Sequence, residues 1–152
     1  MVQGRKKKKP MILAGRRIEI TPRTLSRPGP PGIPANYSHG LVWRDLLFLS
    51  GQVAYGPDGT VVPGGIAEQT RQALDNMKKI CEEAGTSMKN MLKVTVYMTS
   101  IEDFAEMDRV YREYFDVPPT RTTVEVSSLV KTGGAKGLVV EIEGIAGIPT
   151  PK

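Results

Sequence analysis

Apolar residues recur along this chain with two distinct periods, and the switches between them predict its elements. Arg17-Ile18-Glu19-Ile20-Thr21 alternates as a short edge strand does. Leu41-Val42-Trp43 and Leu46-Leu47-Phe48-Leu49 flank the polar pair Arg44-Asp45, which predicts a hairpin running into a largely buried strand that ends at Ser50-Gly51-Gln52. Gly56-Pro57-Asp58-Gly59 and Pro63-Gly64-Gly65 are turn signals. From Ile66 the period lengthens: Ile66, Ala73, Leu74, Met77, Ile80 and Cys81 recur at helical spacing, and Gly85 supplies the stop. Residues 91 to 98 return to period two, with Leu92, Val94, Val96 and Met98 on one face and Lys93, Thr95 and Tyr97 on the other. Ser100-Ile101-Glu102-Asp103 forms a capping-box-like start to a second helix, whose apolar face carries Phe104, Met107, Val110, Tyr111 and Tyr114. Two strands, near 120 to 128 and 137 to 147, complete the set.

Strands, helix, strand, helix and two strands predict an α+β two-layer sandwich, a mixed sheet with both helices packed on one face. The other face has no third layer to cover it, so self-association is expected. Ahead of this domain, residues 22 to 35 hold five prolines and two glycines, a density that blocks helix and ladder hydrogen bonds. The division expected is a basic, Pro/Gly-rich arm over 1–35 and one folded domain over 36–150.

Charge sharpens that division. The net charge is +5, but nine basic residues and a single acid fall in residues 1 to 30, leaving −3 over 31 to 152. The basicity belongs to the arm, where a run such as Arg5-Lys6-Lys7-Lys8-Lys9 is more often a solvated tail than a binding element, and few aromatics accompany it. No nucleic-acid partner is expected. No apolar run approaches the roughly 20 residues of a bilayer span, and the one cysteine, Cys81, has no intramolecular disulfide partner. With no secretory leader pattern in the sequence, a cytoplasmic setting is expected.

The candidate chemistry lies in the last two strands. Pro119-Thr120-Arg121-Thr122-Thr123-Val124-Glu125-Val126 places one arginine in an alternating strand, and Val139-Val140-Glu141-Ile142-Glu143-Gly144 answers with carboxylates. A guanidinium and a carboxylate converging on one pocket would suit a small anionic substrate and a water molecule: arginine's planar fork grips a carboxylate by two charge-assisted hydrogen bonds. Glu143 follows Glu141 by two residues and so shares its face, and alternation does not choose between them. His39 is the only histidine and follows Tyr37 by two residues, so one reading has it line the pocket and titrate near neutrality there; a loop histidine without a role is the commoner case. Cys81, on an apolar helix face, reads as a packing residue. No cluster has metal-ligand spacing and no glycine-rich phosphate loop occurs, so neither metal nor nucleotide is expected.

Ser50-Gly51-Gln52, the helical run from Gln69 to Asn76, the strand from Arg121 to Val126 and the strand from Val140 to Ala146 together resemble the RidA/YjgF reactive intermediate deaminase family, from about Tyr37 to Gly147. The resemblance implies a chorismate-mutase-like fold, a homotrimer whose sheets line a central barrel, and active sites in clefts between neighbouring subunits. It further implies cofactor-free, metal-free hydrolysis of reactive 2-imino and enamine acids to 2-keto acids and ammonia. On that pattern Arg121 anchors the substrate carboxylate and Glu141, rather than Glu143, handles water and protons. Tyr37 stands near the pocket mouth, Ser50 lines the substrate side, and Gly51 allows close backbone approach.

Three features depart from the family pattern. The segment Val130 to Lys136 makes the connection between Arg121 and Glu141 longer than usual, Asp108 stands where many members have asparagine, and Thr123 where many have cysteine. The longer loop favours a pathway-specific deaminase of a larger, aminomuconate-like enamine as the nearest alternative. A non-catalytic small-carboxylate binding module, and an RNA-binding translation inhibitor that uses the basic arm, are the alternatives from other classes.

Overall fold

A computed structural model of the chain describes residues 17–29, 32–131 and 137–150. Six strands form one sheet: β1 (Ile18–Ile20), β2 (Gly40–Trp43), β3 (Leu46–Gln52), β4 (Met91–Met98), β5 (Thr120–Glu125) and β6 (Val140–Gly147), in the order β1-β2-β3-β6-β4-β5. Helix α1 (Ile66–Glu83) joins β3 to β4 and α2 (Phe104–Tyr111) joins β4 to β5. Every pairing is antiparallel except β4 with β5. Because β3 and β4 are both antiparallel to β6, they run parallel to one another with β6 between them. The chain thus makes two crossovers that step the same way across the sheet, and the right-handed rule for such crossovers puts both helices on one face.

That face holds the core. Leu47 and Leu49 of β3, Val94, Val96 and Met98 of β4, and Val140, Ile142 and Ala146 of β6 pack against Ala73, Leu74, Met77, Ile80 and Cys81 of α1 and Met107 and Tyr111 of α2. Among the described residues the opposite face has no layer of its own. Leu41, Trp43, Phe48 and Ile145 stand on it, Trp43 and Phe48 being 43% and 42% exposed. The α+β sandwich with two helices on one face is therefore as the periodicity predicts.

Local departures have local causes. Leu92 does not share the core face with Val94: a register shift between Met91 and Lys93 puts Met91 in the core and leaves Leu92 51% exposed. Ser100 makes no capping bond, and residues 101–103 form a 3₁₀ turn in which Glu125 of β5 accepts the Ile101 N–H at 2.7 Å. A side chain from the neighbouring strand has taken the cap's place. The reciprocal half of a capping box is found instead at α1, where Glu68 accepts the Gly65 N–H at 2.9 Å. Tyr114 lies beyond α2, in the 3₁₀ turn of residues 112–114. Gly85 ends α1 as expected, at a φ of 81° that disfavours any residue with a Cβ.

The edge strand foreseen at residues 17–21 is β1, hydrogen-bonded to β2, with Ile20 in the core. Residues 1–16, 30 and 31 of the basic arm and residues 132–136 of the long connection lie outside the described residues. Leu74, fully buried between α1 and the sheet, tests the core: Leu74→Ala should cost about 2–5 kcal/mol in urea unfolding at fixed protein concentration.

Candidate active site

Glu141 lies in β6, inside the sheet, and a defect in the neighbouring strand shapes its surroundings. Between Leu49, opposite Gly144, and Gln52, opposite Ile142, β3 places Ser50 and Gly51 where β6 places Glu143 alone. This is a β-bulge, a device that bends a strand and re-aims its side chains. Buried Gln52 clamps it, its Nε2 donating to the carbonyls of Ser50 at 3.0 Å and Gly51 at 3.3 Å. The Glu141 carboxylate packs straight onto Gly51: a Cβ there would lie 2.7 Å from Glu141 Cδ and 2.9 Å from Cγ, closer than real Cβ contacts come. Glycine at 51 is what admits the carboxylate.

Glu141 and Glu143 face the same way, yet their surroundings separate them. The Tyr97 hydroxyl donates to Glu143 Oε1 at 3.0 Å. Among the described residues Glu141 has no hydrogen-bond or ion-pair partner. Burial, then the charge of Glu143, raises its carboxyl above the ordinary value of 4.5. Tyr37 senses the Glu141 carboxylate itself. Burial raises its phenol, Arg27 opposes the rise, and Tyr55 and Glu141 add to it. The Ser50 hydroxyl donates to the Ser38 carbonyl at 2.6 Å, which commits its proton and leaves its lone pairs. Ser50 and Glu143 also line a concavity of about 520 Å³ on this face, with Lys93 and Thr95 beside them and Phe48 and Ile145 as apolar wall.

Arg121 is elsewhere. Its register partner in β4 is Val94, wholly buried beneath the helices, whereas Glu141 pairs with Tyr97. Arg121 therefore runs under α2, on the helix side. Its Nη1 donates to Asp108 Oδ1 at 2.7 Å, and its Cζ lies 4.5 Å from the centre of the Tyr111 ring and 5.4 Å from that of Phe104. The other Asp108 oxygen accepts Arg112 Nε at 2.7 Å. Burial pushes the Asp108 carboxyl up, but the bonds from Arg121 and Arg112 outweigh it and hold the carboxyl below its ordinary value. The expected meeting of guanidinium and carboxylate in one pocket does not occur within one chain: strand parity sends them to opposite faces.

Several residues that frame the site were not picked out as candidates from the sequence. Gln69 of α1 donates from Nε2 to the Gly137 carbonyl at 2.6 Å and accepts the Val139 N–H at 3.0 Å, which fixes the chain as it enters β6 and so places Glu141. Asn76 donates to the carbonyls of Val53 and Tyr55, at 3.2 and 3.0 Å, and holds the segment that leaves β3. Both amides are buried within the apolar stripe of α1, and a polar residue at such a position is the signal that finds them. Asp108 is the third.

Cys81 is buried, and burial lifts its thiol to about 12, as befits packing. His39 is 2% exposed with neither ring nitrogen partnered among the described residues. No group of His, Cys, Asp and Glu among the described residues is arranged to hold a metal ion.

The family model described as Endoribonuclease L-PSP matches residues 30–148. The chain belongs to the RidA/YjgF family. A RutC family protein of Pyrococcus horikoshii is 45% identical over 112 residues, 72% of this chain and 85% of the relative. The human 2-iminobutanoate/2-iminopropanoate deaminase is 35% identical over 126 residues, 82% and 88% of the two chains. Among solved structures, Escherichia coli TdcF with bound serine superposes with a TM-score of 0.74 at 32% identity, covering 87% of this chain and 99% of that one.

Gly51→Ala must displace Glu141 from its buried seat, so the carboxyl should titrate nearer 4.5 than in the wild type, followed by carboxyl ¹³C NMR; an unchanged titration would contradict the packing. His39 gives a second test. Burial first, then Arg27, holds its ring below the ordinary 6.5, with the Leu25 backbone pulling the other way. Above 6.5 the ring is neutral in folded and unfolded chains alike. As pH falls through 6.5 the unfolded chain gains a proton that the folded one takes up only at lower pH, so stability drops across that window. His39→Leu should remove that drop, measured as the difference between the two proteins' stability–pH curves.

Proposed function

We propose that this protein hydrolyses small 2-imino acids, and their enamine tautomers, to 2-keto acids and ammonia. The observation that carries the reading is Glu141: a half-buried carboxyl of raised basicity, unpartnered among the described residues and pressed against Gly51 at a bulge. Water adds to the imine carbon as Glu141 takes one of its protons and passes it to nitrogen, which gives a carbinolamine. Glu141 then takes the hydroxyl proton and gives it to the amine nitrogen as the carbon–nitrogen bond breaks and the carbonyl forms, so both water protons reach nitrogen and imine plus water balances ketone plus ammonia. Human and other mammalian relatives that carry the deaminase name, at 35–36% identity, support this class of reaction. A relative with bound serine supports a ligand of amino-acid size bearing a carboxylate.

Arg121 is the proposed anchor for that carboxylate, with Tyr37, Ser50 and the Gly51 backbone lining the space above Glu141. Since Arg121 and Glu141 lie on opposite faces, a complete site takes the guanidinium from one subunit and the carboxylate from a neighbour. The uncovered apolar face of the sheet supports such an assembly, and a homotrimer is the form the family resemblance favours. The reading calls on no metal or cofactor and places the protein in the cytoplasm.

The test generates 2-iminobutanoate in situ and follows ammonia release. Glu141→Gln should lower kcat by roughly 10²–10⁴, and Arg121→Ala should raise KM by at least tenfold. Wild-type rate should fall on the acid side through a value above 4.5, where Glu141 takes up its proton. A wild type that does not exceed the buffer rate removes the reading, and Arg121→Ala kinetics like wild type remove the anchor.

A further inference from the structure

Arg121 is not a lone cation. Asp108 takes its Nη1 at 2.7 Å, the face of Tyr111 lies 4.5 Å from its Cζ, and both partners of the ion pair are shielded, with side chains 21% and 15% exposed. Arg112 reaches the same carboxylate but is 78% exposed, so solvent and salt screen most of its charge. Two hydroxyls in this corner are buried without a hydrogen-bond partner among the described residues: Tyr111 Oη, on the ring over which Arg121 lies, and Thr123 Oγ1, two residues along β5 on the same face. A guanidinium has five N–H donors, and Asp108 accepts from one nitrogen among the described residues. The corner therefore combines spare donors with unsatisfied hydroxyls, fixed in orientation, at a net local charge close to zero.

We propose that Asp108 is the positioning residue of the carboxylate anchor: it sets the plane of the Arg121 guanidinium and cancels most of its charge, so the corner orients a small monocarboxylate while holding it loosely. The inference rests on the reading in which Arg121 meets the substrate carboxylate. An arriving carboxylate feels attraction from Arg121 and repulsion from Asp108 at distances of a few ångströms, so the two effects are of the same order. Orientation survives because the hydrogen bond and the ring contact fix the guanidinium whatever the charge sum. Loose ground-state binding suits turnover, since tightening substrate and transition state alike does not raise kcat. Asparagine at this position would keep an oxygen acceptor for Nη1 while removing the repulsion. The bond to Arg112 would be lost, and that exposed side chain would turn to solvent.

The experiment compares wild type, Asp108→Asn, Asp108→Ala and Arg112→Ala in calorimetric binding of 2-oxobutanoate at low and high salt, and in kcat and KM for 2-iminobutanoate generated in situ. Asp108→Asn should bind 2-oxobutanoate roughly three- to tenfold tighter with a steeper salt dependence, and show lower KM without higher kcat. Asp108→Ala, which removes both the charge and the orienting acceptor, should bind less tightly than Asp108→Asn and lose kcat. Arg112→Ala, at an exposed position that the fold does not need, should weaken binding about twofold by leaving Asp108 less compensated. Asp108→Asn binding no tighter than wild type overturns the proposal, as does tighter binding by Arg112→Ala. Wild-type imine hydrolysis with Asp108→Asn unchanged defeats this inference alone. Binding that Asp108→Asn tightens, without imine hydrolysis by any of the proteins, defeats the deaminase reading alone. No binding of 2-oxobutanoate by any of the proteins defeats both.

Discussion

Side-chain alternation in β6 is the constraint on which the molecule turns. β6 lies between β3 and β4, so its backbone is paired along both edges and its register cannot slip without moving both neighbours. Val140, Ile142 and Ala146 go to the helices, and Glu141, Glu143 and Ile145 go to the other face. A shift of one residue would bury two carboxylates under α1, at a cost far above what the fold could absorb. The same hydrophobic pressure that assembles the core thus holds the acidic pair on the open face.

Within that frame, buried amides do the local positioning. Gln52 closes the bulge, Gln69 holds the start of β6, and Asn76 holds the segment of residues 53–55 that leaves β3. Each satisfies backbone groups that lack ladder partners at an irregularity, and an unpaired buried carbonyl or N–H costs about 1–3 kcal/mol. Their arrangement lets β3 depart from regular pairing at Ser50 and Gly51, and that departure makes room for the Glu141 carboxylate.

The two charged groups of the proposed site are built by different logics. Glu141 is kept basic by burial and a like-charged neighbour, with no partner among the described residues to fix it. Arg121 is kept rigid by a carboxylate and an aromatic face, at the expense of its net charge. One is poised to exchange a proton and the other to orient a ligand. Their placement on opposite faces makes assembly between subunits part of the chemistry proposed, and the exposed Trp43 and Phe48 mark the face available for it.

Much of this was legible in the residue pattern. Period two and the helical period located nearly every element, because burial on one face imposes those periods directly, and the order of elements implied two layers with one sheet face bare. The motif strands named Arg121 and Glu141 as candidates through family likeness. The choice between Glu141 and Glu143 was not legible from spacing, since both share a face and only the Tyr97 hydroxyl, 46 residues away, engages one of them. Leu92 left the core face through a bulge that no local pattern announces, and Ser100 lost its cap to Glu125 on another strand. Asp108 showed in the sequence as a departure from the family pattern, but its partner did not. The amino-acid sequence by itself determined the elements, their buried faces and the candidate chemistry, since these depend on neighbours a few positions apart. Only the tertiary structure decided which candidate is free, which is held and that they stand on opposite faces, because strand register and long-range hydrogen bonds join residues that the sequence keeps far apart.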